Sequence, residues 1–110
     1  MPTFRELLAQ AKSEIKEATP EQVNELLSKP DAPVLIDVRE PEEFERGHLK
    51  EAELIPLASL PKEIKKRLPN KNAAVVLYDD LGIRSNHAAR LLRSLGYQNV
   101  KEMLGGFAGV

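Results

Sequence analysis

Apolar positions along the chain follow two rhythms. In the first, short unbroken apolar runs stand between polar breaks, as in "PVLIDVRE" at 33–40 and "AAVVLY" at 73–78. Runs of this kind, rich in Val, Leu and Ile, predict strands buried on both faces, the pattern of a parallel sheet. "EAELIPL", with Pro56 near its end, and "NVKEML" are two further strand candidates.

In the second rhythm apolar residues recur every three or four positions, as on one face of a helix. Phe4, Leu7, Leu8, Ala11 and Ile15 do so. They predict an amphipathic helix over 3–17, within an N-terminal extension (1–18) that precedes a domain at 19–110. The stripe suits packing on that domain or on a partner. "ATPEQVNELLSKP" predicts the next helix. Thr19 can cap it, Pro20 suits its first turn, Gln22 completes a capping box and Pro30 ends it. "PEEFERGHL" predicts one or two helical turns closed by Gly47. "SLPKEIKKRLP" predicts a short helix capped by Ser59, with basic residues in its last turn where they complement the helix dipole. Residues 85–95 predict a helix that buries Ala88, Ala89, Leu91, Leu92 and Leu95 and stops at Gly96. Strands alternating with helices define an α/β protein with a mostly parallel central sheet.

Composition narrows the function classes. A chain of 110 residues is one small domain. A net charge of −1 gives no footprint for nucleic acid or an acidic membrane surface. No apolar run approaches the roughly 20 residues of a membrane span. The charged N-terminus lacks the apolar core of a signal peptide, so a cytoplasmic location is expected. There is no cysteine, which removes disulfides, thiolate metal sites, thiol nucleophiles and persulfide carriers together. His48 and His87 form no ligand cluster, so neither a metal site nor a cofactor is expected.

Ligands of open α/β sheets lie beyond the carboxyl ends of the strands. Two predicted strands end in polar residues, which makes Asp37, Arg39 and the turn "YDDLGIRS" (78–85) the candidate site. Gly82 permits a tight turn, successive backbone N–H groups can converge on an anion, and the following helix adds its positive end. Arg84 can supply charge or pair with a carboxylate. A plain strand-to-helix connection has the same spacing. Asp37 and Arg39 are either the rim of the site or an internal ion pair that positions the loop. The basic run "KEIKKRL" is either a docking surface or a solvated helix face.

Four segments, in order, resemble the rhodanese-like domain of single-domain sulfurtransferases. They are "VLIDVREPEEFERGHL", "LIPLASL", "VVLYDDLGIRSNHAARLLRSLGYQNV" and "MLGGFAG", and they cover roughly residues 19–109. The resemblance implies the rhodanese fold, with helices on both faces of its sheet. It gives His48 the role of fixing a turn by a hydrogen bond to backbone. It also implies an active-site loop of the form Cys-x-x-Gly-x-Arg-Ser, whose Cys carries sulfur as a persulfide. Aligning Gly82, Arg84 and Ser85 places Asp79 on the Cys position, with Asp80, Leu81 and Ile83 filling the loop. Lys50 and Glu51 stand where the family usually has Pro-Gly, and a Trp with a short C-terminal helix commonly follows the position of Val110.

A carboxylate is a hard, poor nucleophile toward sulfur and cannot store a persulfide, so the family's sulfur transfer is not expected of this chain. The Asp79 carboxylate can instead accept the loop amides and fill the anion site from within. Three functions follow as expectations. The first is a catalytically silent binding, regulatory or accessory module, with a small anion in the loop or a protein partner such as a sulfur carrier or an adenylating enzyme. The second is a variant of an active sulfurtransferase whose cysteine is replaced by Asp79. The third is a hydrolase or phosphotransferase built on Asp79.

Overall fold

The computed structural model describes residue 3 and residues 15–109. Its elements run β1 (Lys16–Ala18), α1 (Pro20–Leu27), β2 (Val34–Asp37), α2 (Pro41–Arg46), β3 (Glu53–Leu54), α3 (Leu60–Arg67), β4 (Val75–Tyr78), α4 (Ile83–Ser94) and β5 (Val100–Met103). Short 3-10 turns cover Leu57–Ser59 and Phe107–Gly109. The strands form one sheet in the order β1-β5-β4-β2-β3, and every pairing is parallel.

Alternate strand residues feed two cores, as the strand period of two requires. Ile36, Val38, Val75, Leu77 and Val100 pack against Leu60 and Ile64 of α3 and Ala88, Ala89 and Leu92 of α4. On the other face Leu35, Val76, Tyr78 and Met103 pack with Val23 of α1. Helices therefore cover both faces, which explains why β2 and β4 read as unbroken apolar runs.

Local signals hold where local chemistry decides. The α1 capping box forms: Gln22 N–H donates to Thr19 Oγ1 at 3.1 Å, and Thr19 N–H to Gln22 Oε1 at 2.9 Å. Three expectations need correction. The apolar stripe of 3–17 lies mostly outside the described residues, but Lys16 and Glu17 belong to strand β1, paired with Lys101 and Glu102 of β5. The ladder partner, distant in sequence, overrides the helical spacing there. Ser59 makes no side-chain cap to α3, because it closes a preceding 3-10 turn with helical backbone angles. Within "EAELIPL" only Glu53 and Leu54 are strand, since Pro56 has no N–H for a ladder.

The topology positions the site. After β2 the chain moves outward to β3; after β4 it moves outward the other way to β5. The carboxyl ends of β2 and β4 thus flank the switch point, where open sheets leave a crevice.

Candidate functional site

The loop between β4 and α4 is built around Asp79. This side chain leaves the end of a fully buried strand and is itself only 2% exposed. Gly82 turns the chain with φ +97°, a left-handed value that a side chain would resist. The turn aims amides back at Asp79. Gly82 N–H donates to Oδ1 at 2.5 Å and Arg84 N–H to Oδ2 at 2.9 Å. The Ser85 hydroxyl lies 3.1 Å from Oδ1. The carboxylate thus lies among the donors that a nest-like loop offers to an anion.

Arg84 turns away from the loop's centre. Its Nη1 and Nη2 donate to Glu43 Oε1 and Oε2 of α2 at 2.7 and 2.8 Å, a two-pronged pair, while Nε stays 3.6 Å from Asp79 Oδ2. The Arg84 hydrogen bonds hold the Glu43 carboxyl far below the usual range, at about 2. The pairing with Glu43 raises the Arg84 guanidinium in turn.

Asp37 and Arg39 form a buried ion pair at 2.8 Å. Arg39 also donates to the Gly47 carbonyl at 2.7 Å and lies 4.6 Å from the centre of the Phe107 ring. Phe107 N–H donates to the Asp79 carbonyl at 2.7 Å, and Ala108 N–H to the Asp80 carbonyl at 3.0 Å. The pair therefore supports the loop through the C-terminal turn. The ion pair is internal, and Arg39 also lines the cleft beside Asp80. His48 lies apart from the loop: its ring stacks on Phe44 at 3.6 Å, and Nδ1 meets the Phe44 carbonyl at 2.8 Å. Asp80 lines a shallow cleft of about 230 Å³ with Glu43, Arg46 and Phe107. Leu81 and Ile83 project from the loop, 69% and 74% exposed.

Four contributors escaped the sequence reasoning. Glu43 is one acidic residue among several on α2, and nothing local marks it. Gly106 and Phe107 reach the loop from the far end of the domain. Glu102 had a usable signal: it is an acid at the buried parity of a strand, two residues from Val100. It is 7% exposed and accepts from Asn86 Nδ2 at 3.0 Å. Among the described residues no group of His, Cys, Asp and Glu side chains could hold a metal ion. No helix among them is long and apolar enough to cross a membrane.

The five-stranded parallel sheet with this strand-to-helix loop is a rhodanese architecture. The family model for the rhodanese-like domain matches residues 19–110, and the chain belongs to that family. It is 38% identical over 89 residues to a tRNA uridine(34) hydroxylase of Cronobacter sakazakii, covering 77% of this chain and 25% of that protein. It is 36% identical over 75 residues to the thiosulfate sulfurtransferase PspE of Escherichia coli, covering 68% of this chain and 71% of that protein. A solved rhodanese with anions from E. coli superposes with a TM-score of 0.66 at 35% identity, over 72% of this chain and 92% of that one. The chain thus spans only a quarter of the hydroxylase it matches.

Proposed function

We propose that this chain is a catalytically silent rhodanese-like domain, an accessory or regulatory module whose sulfur-carrying position is closed by its own carboxylate. The observation that carries the reading is Asp79, which lies buried in the loop and accepts Gly82 N–H, Arg84 N–H and the Ser85 hydroxyl. A persulfide needs a thiolate, and the chain contains no cysteine. Carboxylate chemistry at Asp79 has little support, because both of its oxygens are engaged by the loop and neither is presented to solvent. Similarity to a thiosulfate sulfurtransferase supports a place beside sulfur-transfer chemistry. A protein partner such as a sulfur carrier or an adenylating enzyme suits that place, with exposed Leu81 and Ile83 as its first contacts.

The test is thiosulfate:cyanide sulfurtransfer by the chain and by Asp79→Cys. The unmodified chain is expected to show no turnover above the uncatalysed rate. The variant, with the loop frame intact around a thiol, is expected to show turnover. Turnover by the unmodified chain would overturn the proposal.

A further inference from the structure

Ser85 stands between two carboxylates. Its Oγ lies 3.1 Å from Asp79 Oδ1 and 3.1 Å from Glu102 Oε1, and the side chain is fully buried. A serine hydroxyl carries one hydrogen, so it serves one of these oxygens and not both. If both acids were ionised, the second contact would set lone pair against lone pair out of reach of water, where an unmade hydrogen bond is most costly.

One proton resolves the count, and the surroundings fix its position. Asp79 Oδ1 and Oδ2 already accept amides from Gly82 and Arg84, and the Arg84 Nε lies 3.6 Å away. Glu102 Oε2 accepts from Asn86 Nδ2, leaving Oε1 toward Ser85. With the proton on Glu102 Oε1, that O–H donates to Ser85 Oγ and the Ser85 O–H donates to Asp79 Oδ1. Every donor then has an acceptor.

The groups facing Glu102 agree. From β1 its register partner is Glu17, and from β4 the apolar Leu77. The loop contributes Asp79, and α4 contributes Ser85 and Asn86, with Arg90 one hydrogen bond behind through Asn86 Oδ1. Among the described residues no cation pairs with Glu102. Burial first, and then the charges of Glu17 and Asp79, push its carboxyl upward against the hydrogen bonds from Asn86 and Ser85.

We propose that Glu102 is held as a neutral acid that orients Ser85 onto Asp79, making the closed loop proton-linked. The inference rests on the plugged loop proposed above and adds its regulation. The sign follows from linkage: an acid whose folded pKa is raised stabilises the closed loop at low pH, and that contribution is lost as pH rises through the folded value. Ionisation releases the proton to solvent and leaves Ser85 facing two negative oxygens, which loosens Asp79 from the Gly82 and Arg84 amides.

Carbon-13 NMR of the Glu102 side-chain carboxyl across pH, with the Gly82 and Arg84 amide resonances followed in parallel, tests this. The Glu102 midpoint is expected above the ordinary glutamate value of 4.5. The two amides are expected to move with that same midpoint. In Glu102→Gln, whose amide keeps a permanent donor toward Ser85, their step is expected to vanish. A Glu102 midpoint at or below the ordinary value, or loop amides indifferent to its titration, would overturn the proposal. Both of those outcomes are read on the unmodified chain, whether or not the variant folds. Such a failure leaves the sulfurtransfer result untouched, whereas turnover by the unmodified chain would remove the plug itself.

Discussion

Arg84 enters the loop as a guanidinium 3.6 Å from the Asp79 carboxylate, yet Glu43 takes both of its terminal nitrogens. The consequence can be read in acid. The pairing holds the Glu43 carboxyl at about 2, against an ordinary value of 4.5. A depressed carboxyl contributes stability above its unfolded pKa and loses it as pH falls through the folded one. The partners are 34% and 26% exposed, so solvent screening limits the contribution to about 0–1 kcal/mol. Glu43→Gln is therefore expected to be slightly less stable than the parent at neutral pH. Urea unfolding at a series of pH values should show that gap closing from about 4.5 down toward 2. A gap that stays constant over the same range would mean that the pair adds nothing to stability. Neither Glu43 nor Glu102 stands out in the sequence reading, for different reasons. A surface acid on a helix looks like any other, while Glu102 breaks a strand's apolar parity and was legible in principle.

Strands β2, β4 and β5 were legible from their apolar runs and the α1 cap from its own residues, whereas β1 and the C-terminal turn, which rest on remote partners without such a run, were not. The capping box of α1 needs only Thr19 and Gln22, and it forms as the spacing implies. No local signal marks the role of the C-terminal turn "GGFAG", because its partners, Asp79 and Asp80, lie far earlier in the chain. Its glycine is required by contact as well as by conformation. Gly106 has φ +60°, and a Cβ there would lie 2.5 Å from the carbonyl oxygens of both Asp79 and Asp80. Gly106→Ala must therefore push the turn off the loop. Overpacking of this kind costs about 1–3 kcal/mol, and the left-handed backbone adds about 1–2 kcal/mol. The variant is expected to unfold at a clearly lower urea concentration, with the Phe107 and Ala108 amides losing protection from exchange. If its midpoint matched the parent's, the turn would not be bearing on the loop. The same remoteness explains β1: its ladder with β5 decides Lys16 and Glu17 against the helical stripe they continue.

At the scale of the molecule, alternation of strand and helix was enough to give the α/β class, but not the order of the strands. That order sets β4 and β2 at the middle, next to the switch point, and leaves β1 and β3 as edges of three and two residues. Register weakens β1 further, placing Lys16 opposite Lys101. Like charges across a ladder repel, and charged, short edge strands also discourage pairing with other chains. Stability should accordingly be graded from the centre outward, since local opening needs only the loss of local contacts. Native-state amide exchange at rising urea is expected to show β4 and β2 exchanging only through global unfolding. The β1 and β3 amides should exchange through openings of lower free energy. The loop amides of Gly82 and Arg84 are the informative intermediate: they hang from the most stable strand but are fastened by a side chain and a C-terminal turn. If they exchange together with the β4 amides, the cradle is part of the rigid centre. If they exchange with β1, the support passing through Asp79 and Phe107 is weaker than its geometry implies.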